Sequence, residues 1–369
     1  MVKAESRSVS LDILRGITIA FMIIVNTPGS WNYIYPPLRH SSWHGCTPSD
    51  MIFPFFLFII GVSLWYSMKK YGHEINIGSL FRIFRRTLTV FALGLIIEIF
   101  PNFGKDLSTL RIMGVLQRIA LAYGIGAIIC LTIKRDYLWL AIAILLIFYW
   151  AMLAFSGSAE PYSLAGNLVA KVDAAVLGKN HLGTGFGIPF DPEGLLSTVP
   201  AICTVLIGYY IGEIVGKGSP EFKTALKLVL LGAASIGLGL LWSLVFPMNK
   251  PLWTSSFVLY TSGFALVILA LIYLISDVLR LQKWGSFFLV FGTNALFAYF
   301  LTEIWTKFLL FVHIPSGDNK MSLYSWIYEK VCVPVAGNLN GSLMFAIMQM
   351  LLIWLILLIL YRKKIMIRF

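Results

Sequence analysis

The residues best suited to chemistry lie in a polar loop that runs directly into an apolar segment, RHSSWHGCTPSDMIFPFFLFIIG. The loop holds His40 and His44, and Asp50 lies where the apolar segment begins. Histidine titrates nearest to neutral pH, and a neighbouring carboxylate could orient its ring or stabilise its charge. The pattern favours a proton-handling site at a membrane face. Two alternatives stay open here: the histidines could be interface residues without chemistry, and Asp50 could only cap a helix.

The composition predicts an integral membrane protein, in which long helices must position the polar loop. Hydrophobic residues make up 58% of 369 and charged residues 12%, and the mean hydropathy is +0.82. A membrane helix needs about 20 apolar residues, and such runs recur along the whole chain, without the alternation of a β-barrel. We therefore expect an all-α polytopic bundle in the lipid bilayer, with residues 1–369 as one transmembrane domain.

The positions of the basic residues predict how the bundle is oriented. The net charge is +12, and most lysines and arginines fall in alternate connections, which places both termini in the cytoplasm. Retention of cytoplasmic basic residues explains this charge better than binding to nucleic acid does, so we expect no nucleic-acid partner. The histidine loop and the connections 156–193 and 313–341 then lie on the outer side, as ordered caps. About ten spans are expected, near 11–27, 50–68, 80–100, 110–133, 137–155, 194–216, 225–246, 254–275, 286–312 and 342–361.

Several ionisable residues fall inside or beside these spans, where they usually mark function or a buried pair. Asp12 and Arg15 open the first span on one helical face, which suits an ion pair or an anion site. Arg111 and Arg118, with Gln117 beside the second arginine, share one face of a span over 110–133. Arginines at that depth predict a buried partner or a bound anion.

Other polar residues have a simple structural explanation beside a functional one. Glu303 and Lys307 lie one turn apart and could neutralise each other. Asp191 and Glu193 precede an apolar run, where acids stabilise a helix N-terminus. The four cysteines lack the spacing of metal ligands, so no metal is expected, although Cys46 and Cys332 could form a disulfide.

Taken together, these segments resemble one family along nearly the whole chain. They are SLDILRG, VN at the end of the first span, HSSWHGCTPSDMIFPFFLFIIG, RIMGVLQRIA, DPEG, LWTSSFVLYTSGFA and FGTNALFAYFLTE. The order resembles the transmembrane acyltransferase family of heparan-α-glucosaminide N-acetyltransferase, in its membrane portion and bacterial homologues. The H-x-x-W-x-G-x-T-x-x-D-x-x-F-P pattern is the most specific part of the resemblance.

The resemblance implies transfer of an acetyl group from cytosolic acetyl-CoA to the amine of a glucosamine-containing sugar, such as terminal heparan sulfate glucosamine, across the membrane. The active-site histidine of the family falls on His40, and the asparagine near the acetyl group falls on Asn26. Asp50 would orient the imidazole. Phosphate and pantetheine partners of CoA are expected among the remaining polar residues near the donor, namely Arg15, Arg82, Arg85, Arg86, Gln117 and Arg118.

Four further residues are expected to bind the acceptor: Trp43, Asp191, Glu193 and Glu303. The family also implies a homodimer, and a bacterial homologue would lie in the inner (plasma) membrane. The segment between Asn26 and His40, with Trp31, Tyr33 and Tyr35, looks longer here than in the family, which bears on the acceptor. Sugar O-acetylation is a close variant because an alcohol needs the same base. A transporter of amino sugars or oligosaccharides is the alternative from another class.

Overall fold

Long helices account for most of the chain, as the composition predicts. A computed structural model describes residues 8–101, 103–104, 106–218, 220–316 and 319–367. Within these described residues, thirteen α-helices and one antiparallel hairpin follow in chain order. They are α1 Val9–Asn26, α2 Ile52–Met68, α3 Ile77–Ile99, α4 Val115–Thr132, α5 Arg135–Ala154, α6 Leu168–Leu177, α7 Thr198–Gly216, α8 Phe222–Trp242, α9 Ser255–Tyr273, α10 Ser286–Thr293, α11 Ala295–Phe311, β1 His313–Ser316, β2 Asn319–Ser322, α12 Leu323–Ile327 and α13 Val333–Arg362.

The described residues contain eight helices long and apolar enough to cross a membrane, and a ninth if the bent pair α10–α11 counts as one span. The third expected span is also helical, as α3, but it carries three arginines and Glu98 and is not among them. The chain is therefore a polytopic membrane bundle. The side on which its termini lie stays a prediction from the charge bias.

Small residues allow the central helices to pack with their backbones in contact. A Cβ on Gly61 of α2 would lie 2.0 Å from the carbonyl oxygen of Val205, and one on Gly208 of α7 would lie 2.1 Å from that of Phe58. The same holds between α1 and α10, where a Cβ on Gly16 would lie 1.9 Å from the Phe288 oxygen. Such approaches increase van der Waals contact, which drives helix association in lipid.

The expected span over 286–312 is broken in the middle. Helices α10 and α11 meet at Asn294 with a bend of 66°. The Asn294 side chain donates to the Ile365 carbonyl oxygen at 3.1 Å and accepts from the Ile367 backbone N–H at 2.8 Å. Asn294 thus binds the C-terminal segment to the bend, because a broken helix frees polar groups that need partners.

The described residues of the two long connections expected as ordered caps include helices and strands. Residues 156–193 contain α6, and residues 313–341 contain the β1–β2 hairpin, in which His313 pairs with Ser322, followed by α12 and the start of α13. Cys46 and Cys332, between which the sequence allows a disulfide, are free thiols.

Candidate active site

The centre of the site is a contact between His40 and Asp50. His40 Nδ1 lies 2.8 Å from Asp50 Oδ1. Asp50 Oδ2 accepts from the backbone N–H groups of Ser41 and Thr47 and from the Thr47 hydroxyl, at 3.0–3.1 Å. A carboxyl group with several donors around it is stabilised as a carboxylate. Asp50 therefore accepts a hydrogen bond from His40 Nδ1–H, which leaves Nε2 as the ring nitrogen available to a substrate.

The two explanations considered for Asp50 both hold. Thr47 and Asp50 form a capping box at the start of the 3₁₀ turn Pro48–Met51 that leads into α2. The same carboxylate contacts the imidazole, and its side chain is only 1% exposed, against 32% for His40. One buried acid thus begins the helix and orients the histidine.

A second loop, residues 248–254, holds Lys250 against this pair. Lys250 Nζ lies 3.3 Å from His40 Nδ1 and 3.5 Å from Asp50 Oδ1. The loop is attached to the histidine loop, because Gly45 N–H donates to the Met248 oxygen at 2.8 Å and Asn249 Nδ2 donates to the Trp43 oxygen at 3.0 Å.

His40, Asp50 and Lys250 line a cavity of about 280 Å³, named here the histidine cavity. Apolar walls from α1, α2 and α4 complete it. Its polar lining includes Asn26, His40, Asp50, Glu193, Lys250 and Tyr299.

An arginine-centred group of acids borders the histidine cavity. Arg111 binds Asp191 through two hydrogen bonds of 2.8 and 2.7 Å and Glu193 through one of 2.7 Å, with Glu98 at 3.7 Å. The expectation of a buried partner is confirmed for Arg111. The expected shared helical face with Arg118 is wrong, because α4 begins only at Val115 and Arg111 precedes the helix.

A larger cavity of about 770 Å³, named here the arginine cavity, lies at the other end of the same helices. Arg15, held by Asp12 at 2.8 Å and by the Ser63 hydroxyl at 2.6 Å, is on its wall. The two ends of the described chain, Ser8 and Ile367, also line it. Its other cationic lining residues are Lys69, Arg82, Arg85, Arg86 and Arg280.

The two cavities are stacked along four shared helices. On α2, Phe56 lines the arginine cavity and Phe53 lines the histidine cavity. On α11, Leu296 lines the arginine cavity and Tyr299 lines the histidine cavity. Residues three apart on a helix differ by about 4.5 Å along its axis. About one helical turn of packed side chains thus separates the cavities.

Not every residue assigned from the sequence lines a cavity. Arg118 is fully buried and donates to the Gly194 oxygen and the Ser197 hydroxyl, and it does not line the arginine cavity; nor does Gln117. Trp43 packs edge-on against Phe186 and Phe190, and of these Phe186 lines the histidine cavity. The lining of that cavity includes neither Asp191, which Arg111 holds, nor Glu303, which hydrogen-bonds to Tyr299.

The site also contains residues that sequence reasoning missed. Lys250 is the main one, and its only signal was its place two residues before LWTSSFVLYTSGFA. Lys69 and Arg280 are the others, in the arginine cavity. Cys46 lies on the histidine loop, but burial, with the charge of Asp50 nearby, raises the pKa of its thiol to about 12. A thiol with that pKa stays protonated and is a poor nucleophile.

The fold and the two cavities define a polytopic membrane protein with a histidine–carboxylate site at one end and a cationic cavity at the other. The sequence model of the family described as "Heparan-alpha-glucosaminide N-acetyltransferase, catalytic" matches residues 7–245. The chain belongs to this family of membrane N-acetyltransferases, and the resemblance is confirmed.

Two curated relatives are both named heparan-alpha-glucosaminide N-acetyltransferase. The Mus musculus protein is 28% identical over 358 residues, covering 82% of this chain and 54% of the relative. The Homo sapiens protein is 27% identical over 359 residues, covering 82% and 53%. The chain thus spans about half the length of the curated relatives it matches.

Proposed function

We propose that this protein transfers the acetyl group of acetyl-CoA, bound in the arginine cavity, to the amine of a glucosamine-containing sugar bound at the histidine cavity. The observation that carries the proposal is the stacking of the two cavities on α1, α2, α4 and α11. A donor at one end can then reach a histidine near the other without a path across the whole bilayer.

The arginine cavity suits a polyanionic donor. Arg15, Arg82, Arg85 and Arg86 were assigned to CoA from the sequence, and all four line it. Guanidinium groups bind phosphates with paired hydrogen bonds. Acetyl-CoA is a substrate here, so its phosphates would stay among these arginines while its thioester end points toward Phe56 and Phe53.

The histidine cavity suits the chemistry of acyl transfer. His40 Nε2 can remove a proton from the attacking amine, or it can attack the thioester, release CoA thiolate and carry the acetyl group until the amine takes it. In both routes the amine proton ends on the CoA sulfur or in solvent. Asn26, on the same cavity wall, would donate a hydrogen bond to the carbonyl oxygen as negative charge develops on it.

The acidic side of the histidine cavity suits a cationic acceptor. Glu193 lines the cavity, and Asp191, Glu193 and Glu98 surround the guanidinium of Arg111, so that three acids face two cations, with Lys307 Nζ 3.9 Å from Glu98. Their combined charge would attract the ammonium form of an amino sugar. Heparan sulfate enters only through the names of the relatives, so the proposed acceptor is any accessible glucosamine-containing sugar. O-acetylation would use the same base.

The proposal includes a setting for this reaction. The arginine cavity would face the cytoplasm and the histidine cavity the outer, periplasmic side of a bacterial inner membrane, as the charge bias predicts. A homodimer is carried over from the family as part of the same proposal.

The test is acetyl transfer by the purified protein with radiolabelled acetyl-CoA and glucosamine, alongside His40→Ala and Asn26→Ala. Wild type should release CoA and label the sugar, while His40→Ala should lose about 10²–10⁴-fold in rate and still fold. Label retained on wild type without acceptor would support the acetyl-histidine route. Absence of CoA release with every amino-sugar acceptor would falsify the proposal that the protein is an acetyltransferase. Uptake of amino sugar without CoA release, tolerant of His40→Ala, would instead support the transporter.

A further inference from the structure

Lys250 brings a positive charge into contact with the reacting pair. Its Nζ is 3.3 Å from His40 Nδ1 and 3.5 Å from Asp50 Oδ1, and its side chain is 20% exposed. It is outside the residues that the family model matches. We propose that Lys250 is a positioning residue for the transfer reaction, whose ammonium keeps the His40 ring neutral while Asp50 holds its orientation. The inference rests on the proposed function.

A carboxylate alone would have two effects on His40: it would orient the ring, and it would favour the positive charge of the imidazolium. The position of Lys250 separates these effects. An ionised Asp50 orients the ring through Nδ1–H, but it also favours the charged imidazolium, which has no lone pair to act as base or nucleophile. The ammonium of Lys250 carries a full positive charge, so it repels the charge that the ring would gain as an imidazolium. Lys250 therefore opposes the effect of Asp50 on the charge of the ring, while Asp50 still accepts the hydrogen bond that orients it.

The other titratable groups that line the histidine cavity are engaged. Glu193 lines the cavity but is bound by Arg111 at 2.7 Å. Tyr299 of α11 also lines the cavity and hydrogen-bonds to Glu303, and the charged side chain of Arg39 beside His40 is exposed. On the histidine loop itself, Cys46 keeps its proton, and burial lowers the pKa of His44, so both are uncharged at neutral pH. The contacts around the ring thus give Lys250 the role of opposing Asp50.

The loop that carries Lys250 holds its shape through Asn249. This fully buried side chain accepts from the Leu252 N–H at 2.7 Å, and its backbone N–H donates to the Thr254 hydroxyl at 3.0 Å. None of these bonds involves the lysine side chain. A Lys250 variant is therefore expected to fold with the loop in place.

The proposal is tested directly on the charge of His40, without the transfer reaction. Diethyl pyrocarbonate acylates neutral imidazole, so the site-resolved rate at His40, followed by peptide mass spectrometry from pH 5 to 9, reports the neutral fraction. Lys250→Met removes the cation, so the midpoint of the pH dependence of His40 modification should rise by about one pH unit or more. At a pH below the midpoint, this corresponds to a roughly tenfold slower modification. Lys250→Arg should stay within about half a unit of wild type because the charge is retained.

The matched control is Lys171→Met, which removes an exposed lysine from α6. Its profile should coincide with that of wild type. An unchanged midpoint in Lys250→Met, or an equal shift in Lys171→Met, would overturn the proposal. The acid limb of the transfer rate should move with the modification midpoint. If the midpoint moves while wild type transfers no acetyl group, the proposed function fails and the role of Lys250 in setting the charge on His40 stands.

Discussion

Two histidines on one loop differ in what surrounds them. His40 contacts a buried carboxylate that three further donors hold in place. His44 packs edge-on against Trp43, with ring centres 6.2 Å apart. An imidazole acts as a base when a fixed acceptor selects its tautomer. The local packing therefore supports the same choice between the two histidines that the family resemblance implies.

Replacement of Asp50 by Asn should separate orientation from folding. An amide at this position can offer Nδ1 a donor where it needs an acceptor, which favours the wrong tautomer. We expect the transfer rate to fall about 10³–10⁴-fold, with an unfolding cost of about 1 kcal/mol for the altered capping box. Steady-state kinetics and thermal unfolding in detergent measure the two effects. His44→Gln is the control and should retain activity within about threefold; an Asp50→Asn variant with a tenth of wild-type activity would contradict the assignment.

Sequence reasoning found the parts of the site that lie close together in the chain. His40 and Asp50 are joined by one loop, and their motif carries the family resemblance. Lys250 comes from a distant loop that only the bonds of Gly45 and Asn249 bring near, and a single lysine in an outer loop has no distinguishing pattern. Arg118 was assigned to the donor because a buried arginine suggests an anion, but its Ser197 and Gly194 partners lie beyond what spacing can reveal.

At the scale of elements, the crossing of α2 and α7 holds in place α2, the helix whose residues line both cavities. Gly61 and Gly208 allow the two backbones to touch, and α2 carries both Phe53 and Phe56, which face different cavities. Any side chain at the crossing must push the helices apart, since packed interiors have little free volume. The crossing is thus a place where a methyl group should matter.

Gly61→Ala should destabilise the protein by about 1–3 kcal/mol because its Cβ would lie 2.0 Å from a backbone oxygen. Gly237→Ala is the matched control, since a Cβ there meets nothing within 4 Å and alanine is the better helix former. Thermal unfolding in detergent should show a lowered midpoint for the first variant and an equal or higher one for the second. Equal midpoints for both variants would show that the crossing is looser than described.

Helix α6 meets the start of α7 through a buried acid. Asp173 is fully buried and accepts from the Leu196 N–H at 3.0 Å. Burial raises the pKa of Asp173 to about 6, against partial compensation by that hydrogen bond and by Arg118. The folded protein therefore holds a proton on Asp173 that the unfolded chain loses at lower pH.

The sign of this linkage predicts a loss of stability with rising pH. Because the pKa of Asp173 is raised by folding, the folded state binds more protons than the unfolded chain between pH about 4 and 6. The contribution of Asp173 to the free energy of unfolding is therefore fully present below this window and is lost as pH rises through it. The loss is at most about 3 kcal/mol. Asp173→Asn should remove this slope, so the difference between variant and wild-type unfolding midpoints should grow from pH 4 to 7. A constant difference would contradict the assignment.

Periodicity and composition predicted where helices exist far better than where they end. Every expected span contains a helix. However, α4 begins only at Val115, after the extended Gly114, so Arg111 lies before the helix in which it was expected. The bend at Asn294 was hidden because both of its arms are apolar and the polar partners, the Ile365 oxygen and Ile367 N–H, come from the far end of the chain. Local patterns do not contain such tertiary partners.

At the scale of the whole molecule, the two cavities differ in charge, and this difference would make the proposed reaction directional. Cationic residues concentrate around one cavity and acidic groups border the other. A CoA phosphate entering at the acidic end would meet repulsion, whereas an ammonium there would be attracted. In the proposed reaction, the separating layer of about one helical turn would let an acetyl group pass between the cavities while both larger substrates stay on their own sides.

Proteoliposomes should reveal this directionality. The orientation of the protein in the vesicles is determined by labelling single cysteines with an impermeant reagent. Lys179→Cys reports the histidine end and Lys283→Cys the arginine end, because both positions are exposed. With acetyl-CoA supplied to the arginine end and glucosamine to the histidine end, transfer should proceed at the rate seen in detergent. With the substrates exchanged, we expect at least a tenfold lower rate, since each substrate then meets the cavity of like charge. High salt should slow the correct arrangement because it screens the attraction. Equal rates in both arrangements would mean that the cavities do not divide the substrates, and the proposed path through the layer between Phe53 and Phe56 would have to be abandoned.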